Sequence, residues 1–267
     1  MTQGLQEDLR DLNELVDEAK SELVELESAP TVPPVDTSVV LPVGLWDPSN
    51  GVRDTAEVRE LNGFDEEHIQ KAKNLGASIQ TILERAVVSG GGQPFRKEEA
   101  DLLTIGDRYE LLLGISRVTW GSIVDVPAAC MECESVIEVG IDMDDIERRT
   151  LDDKLTERSF EILLPSGAVA TAGFPTGSLH RLVLTEEITT GAEMTTALIA
   201  NCVTAISGHP FVNESTARSL PSRDRKAIAD YFVDITPGPV LEGIAAECPD
   251  CGSEVQASIP VGALFPG

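Results

Sequence analysis

Cys130-Met131-Glu132-Cys133 and Cys248-Pro249-Asp250-Cys251 are the stretches on which the reading of this chain turns. Each Cys-x-x-Cys is a thiolate hairpin able to supply half of a tetrahedral metal site, and together they make a four-cysteine set that suits zinc. Their flanks resemble one another. Val126-Pro127-Ala128-Ala129 before the first pair stands opposite Ile244-Ala245-Ala246-Glu247 before the second. After the pairs, Val136-Ile137-Glu138-Val139-Gly140-Ile141 stands opposite Glu254-Val255-Gln256-Ala257-Ser258-Ile259. Both flanks read as short strands entering and leaving a knuckle.

The likeness continues upstream. Asp107-Arg108 precedes Thr119-Trp120-Gly121 by the interval that separates Asp224-Arg225 from Thr236-Pro237-Gly238. Ser89-Gly90 then Pro94-Phe95 match Ser207-Gly208 then Pro210-Phe211, and Leu41-Pro42-Val43-Gly44 matches Leu164-Pro165-Ser166-Gly167. Landmarks kept in one order predict an internal duplication, with one half over 38–145, a charged connector over 146–158 and the other half over 159–267. Each half carries one Cys pair, so neither closes a four-thiolate site alone. Cys130, Cys133, Cys248 and Cys251 would hold one zinc ion near a pseudo-two-fold axis and staple the halves together.

The predicted class is α+β, built from two copies of one unit. Each copy opens with a hairpin at Leu-Pro-x-Gly and continues through helices near 64–88 and 97–118, or near 191–206 and 222–233. A strand then leads into the Cys pair and another leaves it. Gly90-Gly91-Gly92, and Gly208 with Pro210, read as stops at helix C-termini.

Residues 5–27 carry the clearest helical period. Leu5, Leu12, Ala19 and Leu26 share one heptad position, and Leu9, Val16 and Leu23 share the other. An N-terminal amphipathic helix over 1–29 follows, either one strand of a coiled coil or a helix laid on its own body; both need a partner surface. Pro30, Pro33 and Pro34 make 30–37 a semi-rigid linker.

At 267 residues the chain can bury a sizeable core. No apolar run approaches the roughly 18 residues that span a bilayer, and the acidic start is no signal peptide, so no membrane role is expected. Forty-six acidic residues face twenty basic ones, of which six are Lys, and the acid is spread along the whole length. Such a balance resembles proteins of salt-in halophiles, since at molar salt the Debye length falls to about 3 Å and self-repulsion is screened. The preference for Arg over Lys fits a GC-rich genome equally. A net charge of −26 repels phosphate backbones, so nucleic acid is not an expected partner.

Little else carries chemistry. Five cysteines, four of them in Cys-x-x-Cys pairs, point to a reducing compartment and metal binding, not to a disulfide framework. A redox role for Cys248-Pro249-Asp250-Cys251 needs a βαβ context that the flanks lack. A catalytic zinc usually keeps an open position, whereas four thiolates close the sphere. Cys202, after Ala197-Leu198-Ile199-Ala200, reads as a small buried hydrophobe. His68, His180 and His209 are scattered, so no nucleophile–histidine pair emerges and no enzymatic activity is expected. Gly90-Gly91-Gly92 lacks a following Lys-Ser/Thr and reads as a connection, not a phosphate loop. Asp107-Arg108 and Asp224-Arg225 read as an N-cap acid plus an ion pair at two helix starts.

Taken together, Leu-Pro-x-Gly, Asp107-Arg108-Tyr109-Glu110-Leu111-Leu112-Leu113, Thr119-Trp120-Gly121 and the Cys-x-x-Cys pair resemble the T-even-type baseplate proteins of contractile-tailed phages, a family associated with baseplate hub assembly. The resemblance covers about 38–261. It implies a virion structural protein, made in the host cytoplasm and located in the tail baseplate, with other baseplate proteins as partners and the N-terminal helix as the docking element. It equally accommodates a hub assembly chaperone that leaves before the particle is mature. Outside that resemblance, a cytosolic zinc-ribbon adaptor or redox protein also fits the Cys pairs.

Overall fold

Apolar side chains alternating at Val39, Leu41, Val43 and Leu45 make β1 (Ser38–Asp47), whose inward residues are all buried. It pairs antiparallel with β2 (Gly51–Val58) through a register shift between Val40 and Leu45. Asn62 caps α1 (Gly63–Ile69) and Asn74 caps α2 (Leu75–Ala86). The chain then passes directly into β3 (Val87–Gly90) and β4 (Gln93–Pro94), completing an antiparallel sheet of order β1-β2-β3-β4. After a 3-10 turn at Lys97–Asp101, α3 (Ile105–Trp120) leads into the hairpin of β5 (Ile123–Ala129) and β6 (Val136–Asp142). This computed structural model describes residues 36–47, 51–151, 158–185, 188–210 and 212–266; the helix expected over 1–29 and nearly all of the 30–37 linker lie outside them.

Much the same succession follows a second time. A short β7 (Arg148–Arg149) precedes β8 (Ser159–Leu163) and β9 (Val169–Gly173), then α4 (Gly177–Val183) and α5 (Gly191–Cys202), then β10 (Val203–Ile206) and β11 (His209–Pro210). The sheet runs β8-β9-β10-β11. Next come α6 (Glu214–Ser219), where the earlier passage has its 3-10 turn, and α7 (Ser222–Ile235). Finally β12 (Gly238–Pro239) pairs with β7, and β13 (Ile244–Glu247) forms a hairpin with β14 (Glu254–Ala257).

Two sequence expectations are corrected here. The helix expected over 64–88 is two helices, and it ends at Ala86 because β-branched Val87 and Val88 turn extended and join β2. The stretch 191–206 divides in the same way at Cys202 and Val203. Gly91 (φ 56°) and Gly92 (φ 73°) therefore stop no helix: they make the tight turn of the β3–β4 hairpin, as Ser207 and Gly208 do between β10 and β11.

The Asp-Arg dipeptides are also more than helix starts. Asp107 is the third helical residue and closes a capping box with Thr104. Its fully buried carboxylate also accepts the backbone amides of Val43 (2.8 Å) and Gly44 (3.1 Å) in the Leu-Pro-x-Gly bulge. Asp224 accepts the amide of Ser166 (3.0 Å) in the second Leu-Pro-x-Gly. Instead of an ion pair, Arg108 donates to the Ala100 carbonyl (2.6 Å) and Gln80 Oε1 (3.0 Å). Arg225 donates to the Ala217 carbonyl (2.6 Å) and Thr196 Oγ1 (2.9 Å). In both places the arginine reaches the carbonyl eight residues upstream and one side chain of the preceding long helix.

Two hydrophobic clusters result among the described residues. One gathers the first sheet, α2 and α3, and also both knuckle hairpins, with Cys130, Val139, Cys248, Val255, Ile259 and Leu264 among its buried members. The other gathers the second sheet with α5 and α7 around Phe160, Ile199, Ile228 and Phe232, and β1 contributes Val43 to it. Residues 37–267 form one compact unit. The tightest crossing is at Gly106, where an added Cβ would collide with the Pro237 carbonyl oxygen, a backbone atom that cannot swing aside. Gly106→Ala is expected to cost about 3 kcal/mol and lower the melting temperature by roughly 10 °C. Gly191, whose Cβ would meet nothing within 4 Å, is the control: Gly191→Ala should melt near wild type.

Candidate metal centre

The second hairpin is carried into the first cluster, and this brings the two Cys pairs together. Val255 and Ala257 on β14 and Ala128 and Ile137 on β5 and β6 are buried in one core, so the two hairpin tips converge. The sulfurs of Cys130, Cys133, Cys248 and Cys251 all lie within 4.8 Å of one another. Close approaches cross between the pairs: Cys130 Sγ to Cys251 Sγ is 3.6 Å, and Cys133 Sγ to Cys248 Sγ is 3.8 Å. A disulfide needs about 2.05 Å, and all four cysteines are free. Residues 121 and 115 positions apart in the chain thus share one four-sulfur cluster able to bind a metal ion.

Local geometry is the same on both sides. The first cysteine of each pair, Cys130 or Cys248, is buried, and the second, Cys133 or Cys251, is exposed. The Cys130 amide donates to the Ser135 carbonyl (3.0 Å) and the Cys248 amide to the Ser253 carbonyl (2.9 Å). The turn needs a left-handed residue after the second cysteine: Gly252 supplies it at φ 74°, and Glu134 adopts it at φ 58° despite its side chain. Ser135 Oγ lies 2.9 Å from Cys133 Sγ, and Ser253 Oγ lies 3.3 Å from Cys251 Sγ. Sequence reasoning does not single out these two serines, although each stands at the second position after its Cys pair.

The electrostatics suit a cation. The Ser135 hydroxyl, then its backbone amide and Cys130, hold the Cys133 thiol down at about 6 from an ordinary 9, which favours its thiolate form. Cys130 sits at about 11: the amides of Cys133 and Glu132 favour its thiolate, but burial and the thiols of Cys133 and Cys251 outweigh them. Four sulfurs this close cannot all ionise without a positive charge among them. Cys202 is elsewhere, in the second cluster, where burial pushes its thiol up to about 12 and leaves it inert.

Of the histidines, His180 is buried against Arg108 and Tyr109, with Arg108 Nε 3.3 Å from its Nδ1. Burial, then the Arg108 charge, lowers it to about 3, so the ring stays neutral, with the Tyr109 hydroxyl 3.3 Å from its Nε2. Among the described residues, no helix is long and apolar enough to cross a membrane.

Compared with known proteins, the chain matches no curated protein and no solved structure. Residues 54–261 do match a family model, described as T4 bacteriophage base plate protein. The matched span takes in both Asp-Arg helices and both knuckles, and the chain belongs to this family of phage base plate proteins.

Proposed function

We propose that the chain is a structural part of a contractile-tail base plate that stays in the finished particle and bridges neighbouring subunits. Family membership over 54–261 carries this reading. It is tested by purifying intact particles and quantifying this chain by mass spectrometry against a known tail component. A stoichiometric signal is expected; its absence, with the chain abundant in the infected cell, would favour an assembly chaperone that acts and leaves.

The ion in the four-sulfur site is, on this reading, zinc, held by Cys130, Cys133, Cys248 and Cys251. A zinc tetrathiolate with Zn–S of about 2.3 Å has sulfur–sulfur edges of about 3.8 Å. The observed 3.6 and 3.8 Å support that geometry. Four thiolates leave no open position, so zinc would supply a cross-link and no substrate chemistry. The chain's own part is to preset the cluster, with Ser135 and Ser253 beside the exposed thiolates.

We also read residues 38–145 and 159–267 as copies of one ancestral unit joined by 146–158. Recurrence of the element order, of the Asp-to-loop hydrogen bond and of the Arg-to-carbonyl reach of eight residues supports this. The expected N-terminal helix would dock on another base plate protein. Nine acidic residues between Glu7 and Glu27 face Arg10 and Lys20, so like helices repel and an unlike groove is preferred. Deleting 1–29 should leave zinc content and melting unchanged while stopping incorporation into particles. A net charge of −26 further supports a working medium of high salt. Melting temperature should rise between dilute and molar potassium chloride, and a flat response would count against that setting.

A further inference from the structure

The two knuckle hairpins differ where they face solvent. Counted from the cysteines, Ala129 and Val136, directly opposed across β5 and β6, correspond to Glu247 and Glu254, directly opposed across β13 and β14. Val136 is 79% exposed, and Met131 between the first cysteines is 89% exposed. Pro127 and Ile123 extend the same outer face towards the foot of the hairpin, and both are exposed. Inward positions do not differ in this way: Ala128, Ile137 and Val139 on one hairpin, and Val255 and Ala257 on the other, are all buried and apolar. The same knuckle is therefore built with two carboxylates at the outer pair, even though like charges placed opposite one another are mildly unfavourable. Neither metal binding nor packing demands aliphatic groups there. An exposed apolar strip that the fold does not require marks a contact surface.

The charges on this face identify the occupant. Asp125 lies between Ile123 and Pro127 on the outer face of β5, Glu138 directly opposes Pro127, and Glu132 and Glu134 lie within and just after the Cys pair; all four are exposed. We propose that the outer face of β5–β6, from Ile123 to Met131 and Val136, docks an apolar segment of another protein edged by Lys or Arg. A second copy of this chain would set the same carboxylates against themselves on a molecule of net charge −26. This deepens the bridging role proposed above and rests on it for the partner being a neighbour in the base plate.

The test transplants the second hairpin's own residues. The double variant Ala129→Glu with Val136→Glu is compared with wild type for binding a fluorescein-labelled helical peptide of Leu and Lys, and its Leu and Glu counterpart, by fluorescence anisotropy at physiological salt. Wild type should bind the Leu/Lys peptide, and the double variant should bind it at least tenfold more weakly. The variant is two charges more negative, so attraction by charge alone would make it bind more tightly. Equal or tighter binding would overturn the proposal. So would a wild-type dimer, seen by light scattering, that the variant abolishes. Zinc content and melting temperature report whether the variant folds; if it does not, Val136→Thr, which keeps the β-branched shape, should still weaken binding severalfold. Failure here with the chain present in purified particles removes this face and leaves the architectural role standing. Peptide binding with the chain absent from particles does the reverse.

Discussion

Reduced, freshly purified protein is expected to yield one zinc ion per chain by elemental analysis, and a strong chelator is expected to lower its melting temperature by well over 10 °C. Isolated zinc-finger peptides gain about 10–16 kcal/mol from their ion, because nothing else holds them folded. Here the hairpins also bury Val255, Ala257, Ile137 and Val139 in the first core, so part of the structure should persist without metal. A loss of several kcal/mol, confined first to the two hairpins, is the expected result. Cys130→Ser and Cys248→Ser remove buried ligands and should abolish stoichiometric zinc. Cys133→Ser and Cys251→Ser remove exposed ones and should leave a weaker, exchangeable site. Cys202→Ala should leave zinc content unchanged, since Cys202 lies in the other core. Metal-free protein after reduced purification, or equal zinc loss in Cys202→Ala, would sink the zinc assignment.

That site is legible because its information is local. Cys-x-x-Cys with alternating apolar flanks specifies two strands and a turn within about fifteen residues, and β5, β6, β13 and β14 occupy the expected stretches. What misleads is punctuation. At Ala86-Val87 and Cys202-Val203 an apolar helical face runs on without Gly, Pro or a polar break, so periodicity extends the helix where the sheet claims the residues. The glycines that follow then read as helix stops, though they serve a hairpin. Beyond the meeting of the two Cys pairs, long-range choices are not legible. Nothing near residue 248 says that its hairpin packs in the first core, and nothing near Val43 says that it crosses into the second. The recurrence of Asp-Arg is visible, but its partners lie 8, 28 and about 60 residues away, and only the folded chain brings them together.

Asp107→Ala is accordingly the substitution expected to damage the fold most without touching the metal. One carboxylate oxygen accepts the amides of Val43 and Gly44, and the other accepts the Thr104 hydroxyl (2.7 Å) and amide (3.2 Å). All of this is buried, so solvent has no ready access to donors that one carboxylate serves on two elements at once. Truncation leaves three amides and a hydroxyl without their acceptor. At about 1–3 kcal/mol for each unsatisfied buried group, and with partial relaxation of the bulge, the cost should be about 4 kcal/mol. Asp107→Asn keeps an acceptor for Val43 and Gly44 but turns donors towards Thr104, so it should fall between. Asp224→Ala removes one such amide contact, from Ser166, at a helix whose N-cap is Pro221 with no side-chain bond of its own. It should cost about half as much. Denaturant melts of the three variants, all with zinc content unchanged, check this order. If Asp224→Ala proved the more damaging, the Leu-Pro-x-Gly bulge would not be the element that Asp107 holds in place, and the link from α3 to the first sheet would have to lie in side-chain packing alone.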